Sequence, residues 1–155
     1  MSLALRPLVF ALFLAAGCRT NAPDLVGAWR AQVQFSDGAF AEVRDLEFLY
    51  VFNSGGTLVE SSNYDSAPPV PPAYGEWRQT GPGRFEARYT FFTTQAAADG
   101  GGWTPAGSGV LVEQIALAAD GRSYESSLKL ELFDAAGKPI AGGGAAKARA
   151  RRASL

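Results

Sequence analysis

From residue 25 onward apolar and polar residues alternate with a period of two, and helical spacing is hard to find. Period two puts successive side chains on opposite faces of a strand. Trp29, Ala31, Val33 and Phe35 share one face against Arg30, Gln32 and Gln34. Phe85, Ala87, Tyr89 and Phe91 oppose Glu86, Arg88 and Thr90, and Tyr124, Leu128, Leu130 and Leu132 oppose Glu125, Lys129 and Glu131. Eight strands are predicted, at 26–35, 42–52, 57–63, 74–79, 84–94, 107–118, 123–133 and 139–151. The breaks between them carry turn chemistry: Ser36-Asp37-Gly38, Asn53-Ser54-Gly55-Gly56, Gly81-Pro82-Gly83, Asp120-Gly121 and Asp134-Ala135-Ala136-Gly137. Such residues supply positive or preset φ where a strand reverses.

Eight antiparallel strands joined mostly by tight turns form an up-and-down meander, and closure removes the two edges an open sheet would expose. The expected fold is therefore all-β, an eight-stranded antiparallel up-and-down barrel. The two long connections, 64–73 with Pro68-Pro69-Val70-Pro71-Pro72 and 95–106 with Gly100-Gly101-Gly102-Trp103, fall at one end, the expected mouth. Apolar faces point inward, the reverse of an outer-membrane barrel with its apolar outside and polar lumen.

Ahead of the barrel, Arg6, the apolar run Leu8 to Leu14 and then Leu14-Ala15-Ala16-Gly17-Cys18 satisfy the physical requirements of an export signal. The stretch resembles the lipobox of bacterial lipoproteins, with Ala15 where that family favours Leu. The resemblance implies a signal peptide over 1–17, lipidation of Cys18, a tether over 18–24 and a barrel domain over 25–155, anchored by lipid to a membrane of the cell envelope. The alternative is an ordinary secretory signal and a soluble periplasmic or secreted protein. An apolar run of about nine residues falls short of the about 20 that span a bilayer as a helix.

The chain has 14 basic and 15 acidic residues and a formal net charge of −1, which gives no electrostatic reason to expect nucleic acid. Histidine is absent and Cys18 is the only cysteine. Histidine-based triads and histidine–zinc sites are thereby excluded, and no intrachain disulfide can form. No metal and no cofactor are expected.

Gly27-Ala28-Trp29 at the start of the first predicted strand resembles the Gly-x-Trp signature of lipocalins and the wider calycin group. The resemblance implies that Trp29 closes the barrel floor and that an arginine of the last strand, Arg149 or Arg151, packs across it. The lipocalin disulfide and the helix before the last segment have no counterpart. Bacterial barrels similar to plant allene oxide cyclase are a related comparison.

Several constellations could carry chemistry. Ile140 and the small residues Gly142, Gly144, Ala146, Ala148 and Ala150 form an expected inward row on the last predicted strand. They either line a ligand cavity or face large aromatics that fill the barrel; eight strands enclose just enough space for both outcomes. Glu113 shares a face with Leu111, Ile115 and Leu117, and Glu42 and Arg44 share one with Leu46, Phe48, Tyr50 and Phe52. Glu113 pairs with Arg44 to orient a polar head, or a β-bulge turns it outward. Trp103 and Tyr64 are mouth aromatics that contact a ligand or anchor loops. The expected ligand-binding set is Arg44, Phe48, Tyr50, Trp77, Tyr89, Phe91, Trp103 and Glu113. The expected function is the binding or carriage of a small hydrophobic or amphiphilic molecule in the barrel. A cyclase- or isomerase-type enzyme using Glu113, and a filled barrel that contacts other envelope components through its loops, are the competing readings.

Overall fold

A computed structural model describes residues 24–66 and 68–153. The expected signal peptide, Cys18 and all of the tether but Asp24 lie outside the described residues. Eight strands follow one another: β1 (Gly27–Phe35), β2 (Glu47–Phe52), β3 (Thr57–Ser62), β4 (Ala73–Gly81), β5 (Arg84–Ala96), β6 (Trp103–Leu117), β7 (Ser123–Asp134) and β8 (Pro139–Arg152). Each pairs antiparallel with its sequence neighbours, and β1 pairs with β8 from Trp29↔Arg152 to Phe35↔Ala146, so the sheet closes into a barrel. The described residues contain no helix.

Alternation dictates the core. Trp29, Ala31, Val33 and Phe35 of β1, Phe48, Tyr50 and Phe52 of β2, Phe85, Ala87 and Tyr89 of β5 and Ala146, Ala148 and Ala150 of β8 are all buried, while the residues between them face outward or are only half-buried. The small β8 residues sit across the β1 and β7 ladders from large ones, Ala146 beside Phe35 and Leu128, Ala150 beside Tyr124. Trp29, Tyr50, Tyr89, Tyr124, Phe52, Leu58 and Glu113 are fully buried, so the middle and floor of the barrel are filled with side chains.

Residues 95–96 and 103–106, expected in a long mouth loop, instead extend β5 and β6 as a paired arm, and two further segments depart from the sequence expectation. The second strand begins at Glu47 rather than 42, because residues 36–46 wrap over the mouth in successive turns, with Ala41 N–H donating to Gly38 C=O at 3.3 Å and Val43 N–H to Phe40 C=O at 3.1 Å. Phe40 and Val43 pack against the core and Leu46 is buried; their spacing of three belongs to a turning chain, not a strand. Glu42 and Arg44 are accordingly exposed and pair with each other at 3.5 Å.

The second departure is in β8. Leu130 faces Gly144 and Leu132 faces Ile140, so Ala141, Gly142 and Gly143 stand opposite Glu131 alone. The 36–39 turn lies against this bulge: Ser36 N–H donates to Ala145 C=O at 2.8 Å, Ala39 N–H to Gly142 C=O at 3.0 Å, and Asp37 Oδ1 accepts from Ala145 N–H at 2.6 Å. A Cβ on Gly144 would stand 2.4 Å from the Asp37 carbonyl oxygen. The glycines of β8 thus admit a neighbouring backbone and do not wall a cavity, and Ile140 beyond them is 51% exposed.

Candidate functional site

At the floor, Trp29 donates its indole N–H to Leu25 C=O at 2.8 Å and packs against Tyr124 with ring centres 5.0 Å apart. The guanidinium covering the indole is that of Arg152, 4.4 Å from the ring centre, not that of Arg149 or Arg151. Strand parity explains the correction: Arg149 and Arg151 point outward, Arg149 toward Glu125 at 3.3 Å, whereas Arg152 turns in at the strand end. Arg152 also donates to Gly121 C=O and Val26 C=O, both at 2.7 Å, and to Asp24 C=O. Gly27, at φ +128°, leaves the space it needs, since a Cβ there would be 2.8 Å from Arg152 Nη1. Trp77, expected to bind ligand, also belongs to this end: its N–H donates to Asn53 C=O and Thr57 C=O, and its ring meets Phe52 and Phe85.

Above the floor lies a polar layer. Glu113 is buried, and its Oε2 accepts from the Tyr89 hydroxyl at 3.1 Å, which is itself 3.0 Å from the Tyr50 hydroxyl. Burial pushes the Glu113 carboxyl above its ordinary range, while the hydroxyls of Ser126, Tyr50 and Tyr89 pull the other way. Arg44 does not reach this layer and lies with Arg149 along a polar groove on the outer wall. No bulge turns Glu113 outward either. Burial favours its protonated form, and the Tyr89 hydroxyl satisfies Oε2, while Oε1 has no hydrogen-bond partner among the described residues.

The mouth holds a cavity of about 160 Å³. Phe35, Leu46, Phe48, Phe91, Leu111 and Leu130 form its apolar wall, Phe40 reaches in from the 36–46 wrap, and Tyr64, Pro68, Val70 and Pro71 close the side from the β3–β4 connection. That connection is held down by Thr94 Oγ1 donating to Pro69 C=O at 2.6 Å and by Val70 N–H donating to Asp65 C=O at 2.8 Å. The tip of the Phe91 ring lies over Gly109, where a Cβ would come within 2.2 Å of its Cζ.

Ser62, Asp65 and Glu60 are the polar residues of the wall. Asp65 is occupied locally, accepting from Ser62 N–H at 2.6 Å and Ser62 Oγ at 2.9 Å. Glu60 is 5% exposed, and its Oε1 has no hydrogen-bond partner among the described residues. Burial, then the Asp65 and Glu113 carboxyls, push Glu60 well above the ordinary carboxyl range.

Of the expected ligand-binding residues, the cavity therefore gathers Phe48 and Phe91. Tyr50, Tyr89 and Glu113 form the layer beneath it, Trp77 seals the opposite end, and Arg44 and Trp103 are exposed, Trp103 at 50% on the tip of the β5–β6 arm. Sequence reasoning missed Glu60, although its place two residues from buried Leu58 on one strand face marks it as inward. It missed Phe40 because the 42–52 strand assignment concealed the Phe40, Val43, Leu46 spacing. Among the described residues there is no group of acidic side chains placed to hold a metal. No protein-family model matches the chain, and no curated protein matches it.

Proposed function

We propose that this is a lipocalin-like binding protein whose ligand places a compact apolar group in the mouth cavity. The observation that carries this reading is the apolar cavity itself, roofed by two connections that are pinned by hydrogen bonds rather than left loose. Its size sets the scale of the ligand. An apolar cavity of about 150 Å³ accepts a benzene-sized molecule, so the barrel takes one ring or a short branched chain, and not a long acyl tail. Glu113 lies beneath the cavity wall, which favours binding over a reaction assisted by that carboxyl. Export and lipidation at Cys18 complete the proposal; the basic, apolar and small-residue order of 1–18 supports them.

Titration with toluene and benzyl alcohol, followed by NMR, tests the reading. Saturable shifts are expected at Phe48, Phe91 and Leu111, and Val70→Trp, which fills the cavity from the loop side, should abolish them with little change in thermal midpoint. Absence of saturable binding by the unmodified protein overturns it. Cell fractionation tests the anchor: Cys18→Ser should leave the membrane fraction, since stable attachment depends on the acyl chains.

A further inference from the structure

We infer that the mouth cavity is selective for a small organic cation, a primary amine or quaternary ammonium carried on a compact apolar body. The inference rests on the binding role proposed above and names the head group that the site accepts.

Three observations converge on a positive charge. Glu60 lines the cavity at 5% exposure, and its Oε1 is covered and has no hydrogen-bond partner among the described residues. Such a group is costly unless something donates to it. The second carboxyl of the wall, Asp65, adds negative potential, and no lysine or arginine stands among the described residues lining the cavity. The third is the wall itself: Phe35, Phe40, Phe48 and Phe91 offer ring faces or edges around the same space. Ring faces attract cations through their quadrupole, and recognition of ammonium groups by aromatic walls rests on this attraction.

The same features reject the opposite charge. A carboxylate or phosphate head would meet two carboxyl groups with no cation to balance it. A neutral alcohol can donate to Glu60, but it gains neither the charge-assisted hydrogen bond nor the ring attraction. Glu60 thus distinguishes this cavity from a general apolar one: burial and the Asp65 and Glu113 carboxyls favour its protonated form in the empty cavity, and an arriving ammonium group lets it give up that proton and accept a charge-assisted hydrogen bond.

The test compares three probes of one shape on the full chain: benzylamine, benzyl alcohol and benzoate, titrated near neutral pH by calorimetry and NMR. Benzylamine should bind at least about tenfold more tightly than benzyl alcohol, as expected when a hydrogen bond becomes charge-assisted, and benzoate should not saturate. Glu60→Gln keeps the side-chain shape and should erase the amine preference while benzyl alcohol still binds. Equal binding of the three, a preference for benzoate, or an amine preference that survives in folded Glu60→Gln overturns the cationic selectivity and leaves the cavity a general apolar site. If neither toluene nor any of the three binds, the binding role itself falls. The comparison on the unmodified protein decides the matter even where Glu60→Gln does not fold.

Discussion

Removing the Trp29 side chain should cost about 3–5 kcal/mol, the range for deletion of a large buried aromatic. The residue is fully buried, hydrogen-bonded to Leu25 and covered by Arg152, so no neighbour can fill the space without breaking the floor. The arginines of β8 should separate sharply. Arg152→Ala loses the stacking on Trp29 and donors to three backbone carbonyls, and should cost about 1–3 kcal/mol, the scale of one or two hydrogen bonds from a charged group. Arg149→Ala removes an exposed pair with Glu125 and should stay within about 1 kcal/mol. Urea unfolding of the three variants measures all of this, and equal losses at Arg149 and Arg152 would contradict the assigned cover.

At the scale of elements, β8 divides into a packed half and a bulged half, and substitutions should report the difference. Ala146 is buried between Phe35 and Leu128, so Ala146→Leu overpacks the wall and should cost about 1–3 kcal/mol. Gly144→Ala fails for another reason: its new Cβ meets the Asp37 backbone, so the 36–39 turn must lift away from β8. Thermal melts should show both losses. Only Gly144→Ala should also speed amide exchange at Ala39 and Ala145, whose N–H groups bond across that contact. The strands themselves were legible from alternation, because each turns one face to a single core. What alternation could not display were the wrap at 36–46, where Glu42-Val43-Arg44 imitates a strand, and the extra β8 residues, which exist to admit another segment. The floor arginine was missed for a simpler reason: parity puts Arg149 and Arg151 outside and Arg152 on the inward face of Ala146, Ala148 and Ala150, but the predicted strand stopped at 151, one residue short of it.

For the whole molecule, the buried acids set the response to pH. Glu60 and Glu113 are held above the ordinary carboxyl range, chiefly by burial, with Asp65 facing Glu60 and Tyr50, Tyr89, Ser126 and Tyr124 around Glu113. The folded state therefore keeps protons that the unfolded chain releases. The stabilisation is fully present below the unfolded carboxyl value of about 4.3 and is lost as pH rises through the raised folded values, at about 1.4 kcal/mol per pH unit for each such proton. Denaturant stability should accordingly fall from about pH 5 toward neutrality, and Glu113→Gln should flatten the slope. A flat profile over that range would mean that these acids are already ionised in the folded barrel.

The closing ladder between β1 and β8 also bears on how the chain is made. A ribosome delivers Trp29 long before Arg152, so throughout synthesis the first strand holds one row of amide groups with nothing to pair them and its indole without its cover. No earlier strand can substitute, because each is already committed to its sequence neighbours. The nascent polypeptide thus stays an unclosed sheet until its final strand emerges, with the folding delay that such distant pairing imposes. A chain in that condition is still threadable, so the export proposed above, through a machinery that accepts only unfolded polypeptides, would meet it before it can lock.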